Sequence, residues 1–441
     1  MGRKVFLSFL GNGFYEGTRY VESSSEESSE QPLRFIQEAS INKFCSDYST
    51  DDYIYIFTTT GALVNWEDGE HSNSRANKLI YYEGLNSRLN NLNLTCSFQN
   101  IMIPDGKSTE EIWEIFEVVF NSIQVGDEIT FDITHGFRSL PMLNMVLINY
   151  AKLLKNIKVD GIYYGAYEAR YTTNNHEYSP IWNLKDFEIL QEWTNQANIF
   201  LTTGNASPLV SLFKGHESVF DLGQNLDKFS KLVLVNRGQD ILEGSTMVAF
   251  QNGLDSYLIT SNTRIPALFP ILAKIKDEFK DYRQDSVWNG FIAVKWCIQN
   301  GLIQQAATML EEFIITYVLF ELGQEFYLKN YIIRTTVSAA LTIGKEQKFQ
   351  YLTNTDNNTG KQALKEWQIT NVTKIREQPY KKKLGKILND LKKSIRNDIN
   401  HAGFRETPSE FNELQKSISK RYNELKNLLS QLHPDRNLPK L

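Results

Sequence analysis

Cysteine is scarce in this chain. Only Cys45, Cys96 and Cys297 occur, widely spaced and odd in number. That excludes a disulfide framework and any CxxC metal knuckle, and it suits a reducing cytosol. Long apolar runs are missing too. No stretch approaches the roughly 18 apolar residues of a membrane span. The opening VFLSFLG is too short in its apolar part for a signal peptide. There is no HExxH, no His/Cys cluster and no paired Asp motif, so no metal site is expected. The GxGxxG fingerprint of an ordinary dinucleotide fold is absent, as is the GxxxxGK[ST] loop of a nucleoside triphosphatase. No GxSxG nucleophile elbow appears either.

What remains is a chain of 441 residues and 50.9 kDa, 41% hydrophobic and 22% charged. That suits two or three soluble domains with cores needing no staples. The net charge of −5 argues against general nucleic-acid affinity. Its distribution is uneven: from Lys374 onward sixteen Lys and Arg stand against eight Asp and Glu. Such a basic module could hold a polyanion locally, although from charge alone a solvated Lys-rich helical surface is the preferred reading.

The first 180 residues alternate strand and helix signals. Val5–Leu10, Tyr53–Thr60, Cys96–Ile103, Glu128–Thr134 and Gly161–Tyr167 read as strands, the last of them closing the series. Phe35–Tyr48, Asn77–Leu92, Glu110–Ile123 and Leu140–Leu154 read as helices, the third opened by the capping box Ser108-x-x-Glu111. Ser23–Glu30 is acidic low complexity, an expected loop. The order predicts an open α/β, Rossmann-like domain with a parallel-rich sheet covered by helices. From 181 onward strand signals nearly vanish and an all-α region is expected, with only Leu232–Val235 ambiguous. The polar Asn354–Lys361 reads as part of a long loop. The expected division is 1–180, a connector 181–285, and a helical domain 286–441.

In open parallel sheets, ligands bind beyond the carboxyl ends of the strands, where strand order reverses. Gly11-Asn12-Gly13, Thr59 with Gly61, Thr134-His135-Gly136 with Arg138 and Ser139, and Gly165–Glu168 all fall at such ends. Glycines let a ligand approach the backbone, and the start of helix Leu140–Leu154 can receive a phosphate. A lone Gly-Asn-Gly is ordinarily just a turn. Together the segments fit a small nucleotide. DITHGFRSLPML (Asp132–Leu143), following an opening strand that ends in Leu-Gly-Asn-Gly, resembles the CARF domain of CRISPR-associated proteins from type III systems, over about residues 1–180. The resemblance implies a cyclic oligoadenylate ligand, cyclic tetra-adenylate favoured, shared by two paired domains. By position it implicates Gly11, Asn12, Gly13, Thr134, His135, Gly136, Arg138 and Ser139, with Thr59 and Gly61 as weaker matches.

Near the C-terminus, Arg396-Asn397-Asp398-Ile399-Asn400-His401 closes an amphipathic helix Leu384–Asn400, before Ala402-Gly403. Histidine titrates near neutrality and can move the proton of a ribose 2′-hydroxyl. Arginine is a permanent, forked phosphate binder. As a bare pattern, Arg-x4-His is common. In this setting, with the upstream GLIQQAATMLEEF (Gly301–Phe313), it resembles the HEPN ribonuclease family over roughly 285–441. The resemblance implies catalysis by Arg396 and His401, orientation by Asn397, and metal-independent cutting of single-stranded RNA. The expected products carry a 2′,3′-cyclic phosphate or 3′-phosphate, with a 5′-hydroxyl on the other fragment.

Positions five apart on an ideal helix sit about 140° from each other around the axis. Arg396 and His401 therefore share a face only if the helix ends or bends between them, which the stop at Gly403 allows. The resemblance implies in addition that two chains pack so that both motifs line one composite cleft, in a homodimer or an assembly of dimers, and that an isolated protomer lacks a complete site. Asp398 could tune the histidine or be a plain surface charge. The expectation is a cytoplasmic, cyclic-oligoadenylate-activated ribonuclease of antiviral defence, without cofactor or membrane. The alternatives are a sensor that does not cut, a pocket that opens its own ring ligand, and a metabolic nucleotide enzyme.

Overall fold

After Lys4, the strand Lys4–Leu10 is apolar on both sides except at Ser8, and six of its seven residues are buried. A strand of that kind belongs in the middle of a parallel sheet covered on both faces. The computed structural model places it there. It describes residues 2–22, 31–73, 78–136, 140–213, 217–260, 266–344, 358–404 and 406–441. The strands are β1 (Lys4–Leu10), β2 (Arg19–Glu22), β3 (Tyr53–Thr58), β4 (Gly69–Asn73), β5 (Lys78–Tyr82), β6 (Ser97–Met102), β7 (Glu128–Asp132), β8 (Lys158–Gly165), β9 (Tyr171–Thr173) and β10 (His176–Asn183).

The main sheet runs β2-β10-β8-β7-β1-β3-β6. From β8 to β6 every pairing is parallel. The chain moves outward from β1 through β3 to β6, then returns to the other side of β1 as β7 and β8. The strand order therefore reverses beside β1, and the carboxyl ends of β1 and β7 open a crevice there. Val5, Leu7 and Phe9 face one core with Ile115, Leu147 and Ile148 from helices Thr109–Ser122 and Leu140–Lys155. Phe6 and Leu10 face the other, with Ile41, Leu85 and Leu89. The period of two along β1 divides these residues between the faces.

Two sequence expectations fail in this unit. Asn77–Leu92 is not one helix: Lys78–Tyr82 pairs with Gly69–Asn73 as a hairpin, and only Leu85–Asn90 is helical. Leu-Ile-Tyr-Tyr has the β-branched and aromatic chemistry of a strand, which helical spacing concealed. Gly161–Tyr167 is not the last strand, because β9 and β10 follow. Asn174 and Asn175 both take positive φ, 48° and 61°, in a two-residue turn that reverses the chain. β10 then lies antiparallel to β8 and parallel to β2, so one edge of the sheet is mixed. Ser23–Glu30 lies outside the described residues, as do 354–357; the rest of the expected loop, 358–361, opens helix Asn358–Glu377 instead.

The chain divides into two compact units, Met1–Ile189 and Leu190–Leu441. After β10 every regular element described is helical, and Leu232–Val235 falls at the end of helix Glu217–Leu234. Ile303–Glu321 is buried nearly all round, the mark of a central helix. Trp288–Gln299 packs along it, and Phe291 stacks on Tyr422 of helix Phe411–Leu432 at 4.4 Å. The expected helix Leu384–Asn400 is three pieces: α-helical Lys381–Asp390, π-helical Leu391–Arg396, and α-helical Asn397–Asn400. Among the described residues no helix is long and apolar enough to cross a membrane.

Candidate functional site

The crevice beside β1 is built on a buried polar knot. Ser8 and Asp132 are register partners on β1 and β7. The Ser8 hydroxyl donates to Asp132 Oδ2 at 2.7 Å. Asp132 Oδ1 accepts from the Thr134 amide at 3.0 Å and from its hydroxyl at 2.5 Å. Thr134 Oγ1 in turn accepts from the Gly165 amide at 2.7 Å. The ends of β1, β7 and β8 are thereby tied together. Asp132 is fully buried, and burial raises its pKa against the pull of these donors. Thr134 was expected to touch ligand, but its only proton is given to Asp132. Its hydroxyl shapes the loop.

The other expected residues gather around this knot. A Cβ on Gly11 would stand 2.3 Å from the Tyr15 hydroxyl and 3.6 Å from His135 Cβ, so the first loop and the β7 loop touch. Tyr15 and His135 rings lie 4.5 Å apart. A Cβ on Gly61 would meet Asn12 Nδ2 at 3.6 Å and Thr59 Oγ1 at 4.0 Å, which puts Asn12, Thr59 and Gly61 in one cluster. Gly13 and Gly136 are exposed, and Gly136 takes φ 131°, a backbone shape that favours glycine. Arg138 and Ser139 lie outside the described residues. Burial pushes the His135 imidazole down to about 4, with the Glu168 charge pulling the other way. It is neutral at physiological pH, suited to stacking or a neutral hydrogen bond.

That depression has a testable sign. The unfolded imidazole takes a proton near 6.5 and the folded one near 4, so its stabilising contribution is complete above 6.5 and is lost as pH falls towards 4. In thermal unfolding between pH 8 and pH 4, wild type is expected to lose stability relative to His135→Asn below 6.5. Parallel curves would refute the assignment.

Two residues of this site carried no sequence signal. Asn65 is buried on the short helix Leu63–Trp66. Its Nδ2 donates to the carbonyls of Gly11 at 2.9 Å and Gly13 at 2.8 Å, and its Oδ1 accepts from Arg34 at 2.9 Å. It fixes the Gly11–Gly13 loop from below. Gln37 does the same for the strand end, donating to the Phe9 carbonyl at 2.8 Å.

The second site lies where the π-helical stretch meets Asn397–Asn400. Such interruptions recur at functional sites. Arg396 Nη1 pairs with Glu311 of the central helix, a carboxylate only 4% exposed. Lys392, one turn earlier, comes within 3.6 Å of the other Glu311 oxygen and donates to Ser338. Asn397 and His401 are exposed, and His401 ends the helix. Ala402 and Gly403 then turn left-handed, with φ 52° and 71°, and the Gly403 amide returns to the Asp398 carbonyl at 3.2 Å. Asp398 is neither surface charge nor histidine partner. It is buried, and it accepts from the Ser409 amide at 2.8 Å. Because the helix continues from Arg396 to Asn400, guanidinium and imidazole leave it in different directions. Glu311 was missed as a site residue; its signal was the pair Glu311-Glu312 inside the otherwise apolar run Met309–Ile315, of which only Glu311 is buried.

Residues 189–286 match the family model described as CRISPR-associated protein MJ1674, second domain. This segment falls where the sequence offered only a helical connector. CRISPR-associated protein MJ1674 of Methanocaldococcus jannaschii is 28% identical over 185 residues, 41% of this chain but only 28% of that protein's own length. Among solved structures, Enterococcus italicus Csm6 bound to cyclic hexa-2′-fluoro-hexa-dAMP aligns over 99% of this chain and 96% of its own, at 12% identity and a TM-score of 0.36. That likeness is too loose to bear on the chemistry of either site. The resemblance to CRISPR-associated proteins drawn from the sequence is borne out by the matched segments, residues 189–286 corresponding to the second domain of CRISPR-associated protein MJ1674.

Proposed function

We propose that this chain is a cyclic-oligoadenylate-activated endoribonuclease of type III CRISPR antiviral defence. The observation that carries the reading is the arrangement at 396–401: a guanidinium anchored to a buried carboxylate, and one turn on an exposed imidazole at a helix stop. Arg396 would face the scissile phosphate. His401 would move the 2′-hydroxyl proton, with Asn397 orienting the substrate. Because the two side chains diverge on one helix, paired chains would supply complementary halves of each cleft. Cleavage would leave a 2′,3′-cyclic phosphate or 3′-phosphate and a 5′-hydroxyl, with no metal required.

The crevice beside β1 would hold the activator, cyclic tetra-adenylate being favoured. Its exposed glycines admit a ligand to the backbone, and neutral His135 with Tyr15 offers flat surfaces to bases. Shifting the population from about 1% to 99% active needs roughly 5.5 kcal/mol of differential binding. A multiply charged ring gripped by two subunits is suited to supply it. With the Thr134 hydroxyl committed to Asp132 and Gly165, that residue does not favour ring opening in the crevice.

The test is cleavage of a fluorescent single-stranded RNA with a panel of cyclic adenylates of different ring sizes. Cleavage stimulated by one ring size and indifferent to chelator is expected. Tight ring binding without cleavage under any activator would leave a sensor in place of the nuclease.

A further inference from the structure

A carboxylate inside an apolar helix is costly unless it is paired and hydrogen-bonded. Glu311 sits between Leu310 and the Phe313–Ile314 core positions of helix Ile303–Glu321, and it has two cationic partners where one would neutralise it. Both come from one turn of the π-helical stretch, Lys392 and Arg396. Lys392 is held from a second side by the Ser338 hydroxyl on helix Tyr331–Thr342. The side chains of Lys392 and Arg396 keep 38% and 30% of their surface exposed, while that of Glu311 keeps 6%. The carboxylate is therefore the floor of the cluster, and the cations are its outward face. One negative and two positive charges leave a net positive charge at the surface.

We propose that Glu311 is a positioning residue for RNA cleavage, its buried carboxylate holding Arg396 and Lys392 side by side so that both present N–H groups to the RNA backbone. This rests on the ribonuclease reading above. Among the described residues Arg396 is bonded to the protein through Nη1, and its Nε is buried without a partner, which leaves Nη2 for a phosphate. A long side chain fixed before substrate arrives pays less ordering entropy on binding. Lys392 carries a compact charge four residues earlier, on the same turn of widened helix, and would grip a neighbouring phosphate.

The test compares wild type, Glu311→Gln, Glu311→Asp and Lys392→Gln in activator-saturated RNA cleavage. Gln keeps the size of the side chain and removes its charge. Displacing a positioned group by an ångström can cost about 100-fold, so Glu311→Gln is expected to lower kcat about 10- to 100-fold while KM moves less than about 3-fold. Glu311→Asp recovers part of that loss. Lys392→Gln mainly raises KM. A second measurement needs no RNA: labelling of Arg396 by phenylglyoxal, read by mass spectrometry, is expected to speed up about 3-fold or more in Glu311→Gln, because the guanidinium loses its charge-assisted bond. Unchanged kcat, a kcat loss that merely tracks the unfolded fraction by circular dichroism, or unchanged labelling overturns the proposal. If wild type cuts no RNA with any activator, the ribonuclease reading fails. The labelling arm still decides whether Glu311 holds Arg396.

Discussion

Replacing His401 by alanine is expected to lower activator-stimulated RNA cleavage by about 10²- to 10⁴-fold, the usual weight of a general acid or base, with no change in the melting temperature. The second half of that expectation gives the experiment its force. His401 is exposed at the end of a helix, and its ring makes no hydrogen bond among the described residues. Removing it disturbs nothing that holds the fold. Arg396 is different. Arg396→Ala would also abolish cutting, but it strips Glu311 of its closest cation and leaves a buried carboxylate leaning on Lys392 alone. A loss of stability would accompany the loss of activity, and the two would be hard to separate. Arg396→Lys is the cleaner variant. It keeps the charge against Glu311 but gives up the planar fork, so activity should fall while the melt stays near wild type. If His401→Ala cleaves at the wild-type rate, the residue takes no part in the reaction and the nuclease assignment loses its proton carrier.

Asp132→Ala is expected to destabilise the first unit by about 3 kcal/mol and to weaken binding of the ring ligand. Three donors converge on this carboxylate: the Ser8 hydroxyl, the Thr134 amide and the Thr134 hydroxyl. Each buried donor left without an acceptor costs roughly 1 to 3 kcal/mol, and relaxation of the loop recovers part of that. Asn should be far milder. Its oxygen can serve Thr134, and its amide can donate to the Ser8 hydroxyl, which then accepts. Asn also removes a buried charge. Burial raises the Asp132 pKa above its ordinary value, so folding favours the protonated acid and the ionised form costs stability as pH rises through that range. Thermal unfolding with ligand titration on the same three proteins checks this. Equal melts for Asp132→Ala and Asp132→Asn would show that the knot holds nothing.

Both sites were partly legible, for different reasons. The strands of the central sheet announce themselves because a parallel strand buried on two faces tends to be apolar nearly throughout, and VFLSFL and YIYIFT are, while EITFD alternates Ile129 and Phe131 with polar letters. The loops at their ends stood out through Gly-Asn-Gly and His-Gly. Ser8 and Asp132, polar letters inside those strands, were equally visible. Nothing in the letters says that residues 124 positions apart are register partners. Asn65 carried no signal at all, since a side chain that supports two carbonyls of a distant loop looks like any other asparagine.

The letters alone specify which segments can be buried, where the chain turns, and that one arginine and one histidine stand five apart at a helix end. These follow from local chemistry: apolar periodicity, turn residues and titratable groups. Packing in three dimensions was needed to show that Asn174-Asn175 sends β10 back antiparallel, that Asp398 is buried and holds the Ser409 amide, and that Glu311 sits beneath Arg396. Each of these depends on which group meets the other's unpaired charge or hydrogen bond across the fold, and that pairing is fixed by packing between elements far apart in the chain.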